Sequence, residues 1–214
     1  MKNSQGFVYE VINDFLEEVQ LNEVIKFYEK LPFAEDNVKT EILSNQINRY
    51  EILNSIRWKI YSLLSNRSDS KFYFTKLWIA KNTYKNTNAS ELPFITHFDR
   101  VRHLKGMIYL NDVDIDNGPI WISAKRCDWI ENFRINLPLN YKSLKLNSDP
   151  LKYNNIKTDP IVGKKNTLII FDTNVPHHAG KVSVNNERRF LRFDYLVKKK
   201  FSLFGKKIFP ESRA

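Results

Sequence analysis

Residues 95–122, ITHFDRVRHLKGMIYLNDVDIDNGPIWI, hold two of the four histidines of this 214-residue chain, His97 and His103. The other two are adjacent, His177 and His178, within the stretch 171–196, FDTNVPHHAGKVSVNNERRFLRFDYL. Both stretches are rich in the β-branched and aromatic residues that favour β-strands. The imidazoles are therefore concentrated in two segments of a β-rich region, and this concentration raises the question of a metal site.

The His-x-Asp spacing at the start of the first stretch has a geometric consequence. In an extended strand, residues i and i+2 project to the same face, so we expect His97 and Asp99 to point together while Phe98 packs on the opposite side. A metal held by these two groups needs a third ligand, and the remaining candidates are His177 and His178. Two histidines and one carboxylate form the facial triad of non-haem Fe(II) oxygenases. A structural zinc site normally takes four protein ligands, usually including cysteines, and the sequence has a single cysteine.

His-x-Asp alone is frequent by chance, and a histidine pair after a proline also fits a turn at a strand end. An arginine favours the functional interpretation, because Arg188 follows His177 by eleven residues and opens the next predicted strand. Its planar guanidinium suits bidentate binding of a carboxylate. The pair His178 and Arg189 has the same spacing, so both registers stay open and the first is preferred.

Three segments in this order resemble the phytanoyl-CoA dioxygenase-like branch of the Fe(II)/2-oxoglutarate-dependent oxygenases. They are HFD at 97–99, LKGMIYLNDVDIDNGPIWI at 104–122, and FDTNVPHHAG at 171–180 followed by Arg188. The resemblance covers roughly residues 70–197. It implies a double-stranded β-helix, a jelly-roll or cupin-like sandwich with the active site inside one end.

The resemblance also implies roles for individual residues. His97, Asp99 and His177 would be the Fe(II) ligands and the catalytic centre, Arg188 would bind the C5 carboxylate of 2-oxoglutarate, and Tyr109 would be a further co-substrate contact. The implied reaction is O2-dependent hydroxylation of a small molecule with release of succinate and CO2, or a desaturating or ring-forming variant. Family members commonly end the strand after NGP with Gly-Ser-His, whereas this chain reads IWISAKRCDW at 120–129, so the substrate is not carried over.

The order of predicted elements indicates an α+β fold with N-terminal helices packed on one sheet. Apolar periodicity predicts helical structure over 7–31, with a second helix or a break and restart near Asn22, and another helix over 46–65. Strands are predicted over 71–84, 104–111, 119–124, 167–172, 176–183 and 188–197. In the 104–111 strand, alternation places Lys105, Met107, Tyr109 and Asn111 on one partly polar face. We expect one oxygenase domain over 1–197, with a helical part over 1–66, a β-helix core over 70–197 and an irregular insertion or lid over 128–160.

The remaining residues, 198–214, form a predicted basic C-terminal tail. The net charge is +10, and residues 188–214 supply nine basic against two acidic residues, a surplus of seven. The stretch 197–210, VKKKFSLFGKKIFP, interleaves lysines with phenylalanines, a pattern typical of nucleic-acid or anionic-surface binding. A non-catalytic jelly-roll module with such a tail is therefore the alternative function. A cupin with other metal chemistry is a third alternative, although such sites generally use more histidines.

The same composition favours a cytoplasmic location. A single cysteine suits a reducing compartment. The first residues, MKNSQGFVYEVINDF, lack a signal-peptide pattern, and no run approaches about 18 apolar residues.

Overall fold

The computed structural model describes residues 7–32, 39–86, 93–131 and 156–198. Its strands are β1 Tyr9–Ile12, β2 Lys39–Leu43, β3 Phe72–Thr83, β4 His103–Tyr109, β5 Ile120–Ile122, β6 Asp159–Ile161, β7 Leu168–Asp172, β8 His177–Ala179 and β9 Glu187–Val197. Its helices are α1 Glu18–Glu29 and α2 Glu51–Ser65, with single 3-10 turns at Ile47–Arg49 and Tyr84–Asn86. Among the described residues, no helix combines the length and hydrophobicity needed to cross a membrane.

The strands form two sheets in which every pairing is antiparallel. The larger sheet has six strands in the order β1-β7-β4-β9-β3-β2, and the smaller has three in the order β6-β5-β8. An isolated antiparallel bridge joins His97 to His177, so the segment before β4 lies along the side of β8 that does not face β5. This bridge is the link that positions the candidate site.

The two faces of the larger sheet carry separate apolar clusters, as the period-two alternation of strand side chains requires. In β4, Leu104 and Ile108 pack with α1 and α2 in one cluster. Met107 and Tyr109 belong to a second cluster, which also contains Ile120, Ile122 and Ile161 of the smaller sheet. The second cluster therefore fills the space between the two sheets.

Helix α2 lies against β4 over a short distance. Its buried side chains are Leu53, Ile56, Ile60 and Leu64, all with no exposed surface. A Cβ placed on Gly106 would be 2.7 Å from Cγ2 of Ile60. The close approach of α2 to the sheet thus depends on a glycine in the strand.

The predicted helix over 7–31 is wrong at its start. Residues Tyr9–Ile12 form β1, which pairs with β7 at the edge of the larger sheet. Asp14 follows in the left-handed region, with φ of 48°, and α1 begins only at Glu18. Pairing with the free edge of β7 satisfies backbone groups that a helix would have satisfied locally, so tertiary context overrode the apolar periodicity.

The remaining element predictions are mostly confirmed, with ends that differ by a few residues. The helix predicted over 46–65 is α2 preceded by a 3-10 turn, and the six predicted strands are β3, β4, β5, β7, β8 and β9. Strand β2 was not predicted, and neither was β6, whose residues begin inside the predicted insertion 128–160 and pair with β5. Residues 132–155 of that insertion and 199–214 of the predicted tail lie outside the described residues.

Candidate metal centre

Two distant histidines meet because their backbones pair. The amide of His97 donates to the carbonyl of His177 at 3.0 Å, and the reverse hydrogen bond is 3.1 Å. Directly opposed residues of an antiparallel pair project their side chains to the same face. The two imidazole rings consequently lie side by side, with centroids 4.7 Å apart and both side chains buried.

Asp99 completes a three-residue cluster, as its two-residue spacing from His97 predicts. Its Oδ1 lies 3.7 Å from Nε2 of His97 and 3.5 Å from Nε2 of His177. One ligand atom from each residue lies within 4.8 Å of the others, which is the spacing of groups that could share a single metal ion. Among the described residues, no cysteine or further histidine belongs to this cluster.

The second nitrogen of each ring is held by a backbone carbonyl. Nδ1 of His97 lies 2.8 Å from the carbonyl oxygen of Ile95, and Nδ1 of His177 lies 2.9 Å from that of Val175. A carbonyl oxygen only accepts hydrogen bonds, so Nδ1 carries the proton of each neutral ring. This leaves the lone pair of Nε2 directed toward Asp99, the arrangement that outer hydrogen bonds give to metal-binding histidines.

The charges of the cluster suit a cation. Burial lowers the pKa of His177 to about 4, although its hydrogen bond with Asp99 acts in the opposite direction. Burial by itself would raise the pKa of Asp99, but the positive charge of Lys105 and the nearby imidazoles of both histidines outweigh it and hold that pKa well below its usual value. At neutral pH His177 is therefore neutral and Asp99 is ionised, which are the protonation states that metals require.

The adjacent histidine, His178, points away from this cluster. It alternates to the other face of β8, where its ring stacks on Trp121 with centroids 5.5 Å apart and planes inclined by 13°. Its Nε2 lies 3.3 Å from Oγ1 of Thr158. Of the two registers that the sequence left open, the structure brings His177 to Asp99. His103 lies nearby, with Nδ1 3.8 Å from Oδ2 of Asp99.

The side chains of Arg188 and Arg189 lie on opposite faces of β9, as those of His177 and His178 do on β8. Arg188 is 1% exposed and shares the inner face of β9 with Phe190, a member of the cluster between the sheets. Its Nη1 donates to the carbonyl of Gly118, and its Nε has no hydrogen-bond partner among the described residues. Arg189 lies on the opposite face, paired with Glu187 and 6.0 Å from the ring of Tyr28.

The buried guanidinium of Arg188 remains a cation. Burial lowers its pKa to about 10, which is still well above neutral pH. An unpaired charge in a protein interior costs several kcal/mol. An anion bound next to Arg188 would offset that cost, and it would find an unused N–H donor at Nε.

Tyr109 lies between the two sheets. Its hydroxyl donates to the carbonyl of Ile161 at 2.9 Å and accepts from the amide of Ile120 at 3.2 Å. Burial raises its pKa to about 12, so the hydroxyl stays protonated. Tyr109 therefore joins β4 to β5 and β6, and its predicted contact with a co-substrate stays a prediction.

Sequence reasoning underestimated Lys105, which it placed only on a partly polar strand face. Lys105 is 5% exposed, and its Nζ lies 2.5 Å from Oδ2 of Asp99. The signal was present, because a lysine on the inward phase of the apolar strand LKGMIYL requires a buried anionic partner. The identity of that partner could not be read from the sequence.

No protein-family model matches the chain, and no curated protein matches it. Solved structures do match. A non-haem α-ketoglutarate-dependent carbocyclase, SnoK, from nogalamycin biosynthesis is 15% identical with a TM-score of 0.64, and the match covers 89% of this chain and 79% of that one.

The viral collagen prolyl hydroxylase of Paramecium Bursaria Chlorella virus-1 is 16% identical with a TM-score of 0.57, and the match covers 93% of this chain and 96% of that one. HygX from Streptomyces hygroscopicus, in its structure with nickel, 2-oxoglutarate and hygromycin B, is 9% identical with a TM-score of 0.58 and coverages of 92% and 87%. At these identities the matches show a shared fold. The chain thus has the fold of non-haem 2-oxoglutarate-dependent enzymes.

Proposed function

We propose that this protein is an Fe(II)/2-oxoglutarate-dependent dioxygenase that oxidises a small molecule. The observation that carries the proposal is the convergence of His97, Asp99 and His177, with one ligand atom from each within 4.8 Å of the others. The shared fold supports it, because the matching solved structures include enzymes described as α-ketoglutarate-dependent and one with 2-oxoglutarate bound. Two histidines and one carboxylate on one side of an iron ion leave the other side open.

In this proposal Nε2 of His97, Nε2 of His177 and Oδ1 of Asp99 hold the iron. Iron, 2-oxoglutarate and dioxygen supply the oxidation, with succinate and CO2 as coproducts. The backbone bonds to Nδ1 of both rings fix the ligand atoms before the metal arrives. The apolar cluster between the sheets keeps water away from one side of the site.

Arg188 binds the distal carboxylate of 2-oxoglutarate. Support comes from its burial, its positive charge and its unpartnered Nε, which together describe a guanidinium prepared for an anion. Tyr109 is the second candidate contact, and binding there would compete with its hydrogen bond to Ile161.

The finer assignment is a hydroxylase of the phytanoyl-CoA dioxygenase-like branch, with the two sheets forming a double-stranded β-helix within a domain over 1–197. The order of the HFD, NGP and HHAG segments supports this branch, and the retained carboxylate of Asp99 supports hydroxylation. The alternative of a non-catalytic binding module rests mainly on residues 199–210, outside the described part, and nothing in the described part favours it.

Succinate formation from 2-oxoglutarate in the presence of Fe(II), ascorbate and O2, without added substrate, tests the proposal. We expect slow succinate release by the wild-type protein and a loss of about a hundredfold or more in Asp99→Ala and His177→Ala, since each loses a ligand. His178→Ala is the matched control and should keep its rate. Equal rates in His177→Ala and wild type would refute the assignment.

The same assay tests Arg188. We expect Arg188→Met to raise the KM for 2-oxoglutarate by about tenfold or more, because a bidentate charged contact is lost, whereas Arg189→Met leaves it unchanged. An unchanged KM in Arg188→Met would place the co-substrate carboxylate elsewhere.

A further inference from the structure

The two carboxylate oxygens of Asp99 have different surroundings. Oδ1 faces the two imidazoles at 3.5 and 3.7 Å, whereas Oδ2 contacts Nζ of Lys105 at 2.5 Å. The lysine belongs to β4 and contacts a different oxygen from the one that the two histidines face. One oxygen is therefore presented to the metal position and the other is bound within the protein.

Lys105 is held in this position by its neighbours. It is buried on the inner face of β4, between Phe171 of β7 and Asp194 of β9 in the strand register. Its ammonium lies 5.9 Å from the ring centroid of Phe171. A buried ammonium needs an anionic partner, and the side chain has little room to turn toward solvent.

Asp194, the carboxylate directly across from Lys105, is bound by other groups. Arg192 donates to both of its oxygens at 2.9 and 3.0 Å, and the indole N–H of Trp78 donates to Oδ2 at 3.0 Å. The short contact of Lys105 accordingly goes to Asp99. The network divides into two charge-balanced pairs, Arg192 with Asp194 and Lys105 with Asp99.

We propose that Lys105 is a positioning residue that reserves Oδ2 of Asp99, so that the carboxylate offers a single oxygen to the metal and the remaining positions stay open for co-substrate. This inference rests on the proposed function. Without the lysine, Oδ2 loses its shortest contact, and we expect it to turn toward the metal as a second ligand oxygen and to occupy a position that the co-substrate needs. Loss of the nearby positive charge acts in the same direction, because it removes repulsion of a dication.

The inference predicts changes of opposite sign in two affinities. Isothermal titration with Mn(II), which supports no turnover, would give the affinity for the metal alone and then the affinity of the Mn(II)-loaded protein for 2-oxoglutarate. In Lys105→Met we expect Mn(II) alone to bind about threefold or more tightly. We expect 2-oxoglutarate to bind the loaded variant about tenfold to a hundredfold more weakly.

Three further variants control the test. Lys105→Arg keeps a charged donor for Oδ2 and should restore both affinities toward wild type. Lys105→Gln also removes the charge but keeps a polar side chain. It replaces Lys105→Met in the test if Lys105→Met does not fold, and the same two changes in affinity are expected. Lys164→Met removes a lysine from an exposed ion pair with Asp112 and should change neither affinity.

Several outcomes would overturn the inference. If Lys105→Met binds both Mn(II) and 2-oxoglutarate more weakly, the lysine only maintains the structure of the site. If neither affinity changes, the lysine has no role in binding. A crystal structure of the Mn(II)-loaded wild-type protein with both oxygens of Asp99 on the metal also overturns it, whatever the variants do. Failure of the wild-type protein to bind Mn(II) or 2-oxoglutarate would instead remove the proposed function itself.

Discussion

At the scale of single residues, the site is governed by burial of groups that titrate. His177, the first residue of β8, is buried beside the segment that carries His97, and burial lowers its pKa from the ordinary value of 6.5 to about 4. The low pKa keeps Nε2 available for a metal in mildly acidic solution. In acid, the lowered pKa of His177 reduces the free energy of unfolding of the metal-free protein.

The sign of this cost follows from linkage. In the unfolded chain His177 has its ordinary pKa and takes up a proton as the pH falls through about 6.5, whereas in the folded protein it stays neutral down to about 4. Lowering the pH from 7.5 to 5 should therefore reduce the free energy of unfolding of the metal-free protein by about 2 kcal/mol from this residue.

Chemical denaturation in urea, with metal removed by EDTA, measures this pH dependence. Asp99 has a depressed pKa and adds to the loss only at lower pH, as its folded-state pKa is approached. The variant His177→Asn removes the titrating ring, and its stability should change less between pH 7.5 and 5. If the unfolding free energy of His177→Asn changed with pH as steeply as that of the wild-type protein, the lowered pKa of His177 would be contradicted.

At the scale of elements, the packing of α2 on β4 sets the position of the strand that carries Lys105. Gly106 lies under Ile60, and a methyl group there would be 2.7 Å from Cγ2 of Ile60. We expect Gly106→Ala to lower the free energy of unfolding by about 1–3 kcal/mol, because a packed interior does not accommodate the added carbon without shifting.

A double-mutant cycle isolates this contact. Ile60→Ala removes the atom that the new methyl group would meet, so Gly106→Ala should cost less in the Ile60→Ala background than in wild type. Thermal or urea unfolding of the four proteins gives the comparison. Equal costs in both backgrounds would show that the glycine is needed for another reason.

Sequence patterns predict most of these elements but not all of them. Helix α2 and the strands β3, β4, β7 and β9 follow from periodicity and composition alone, because each has the apolar pattern or the β-branched and aromatic content of its element type regardless of its partners. The strand β1 does not, because Tyr9–Ile12 reads equally well as part of a helix until the edge of β7 is available for pairing.

At the scale of the whole molecule, one buried carboxylate ties separate segments together. Asp172, at the end of β7, is 0% exposed and accepts hydrogen bonds from Arg102 before β4, from Arg126 after β5 and from the amide of Asn174. Arg126 also donates to the carbonyl of Phe7 at 3.0 Å. The network therefore connects both sheets with the segment that precedes β1.

We expect Asp172→Asn to lower the free energy of unfolding by about 3–5 kcal/mol, because two largely buried guanidinium groups would lose their shared anion. Asp112→Asn is the matched control, since Asp112 forms an exposed ion pair with Lys164 and the loss of that pair should lower the free energy of unfolding far less. Urea unfolding at pH 7 measures both. Similar losses of unfolding free energy in the two variants would show that the buried network stabilises the protein no more than an exposed ion pair does.

The sequence by itself determined the features that depend on near neighbours. These are the common direction of His97 and Asp99, the inward phase of Lys105, the amphipathic helix α2 and the β-rich character of the core. Each follows from the period of a strand or a helix, which is a property of a few consecutive residues.

Only the tertiary structure decided the features that depend on residues far apart in the chain. The backbone pairing of His97 with His177 selects that histidine over His178, and the register of β4 between β7 and β9 brings Lys105 to Asp99 and gives Asp194 to Arg192. A shift of one residue in either pairing would turn every side chain to the other face. The local sequence is compatible with both registers, so the choice between them comes from the packing of the two sheets around a shared core.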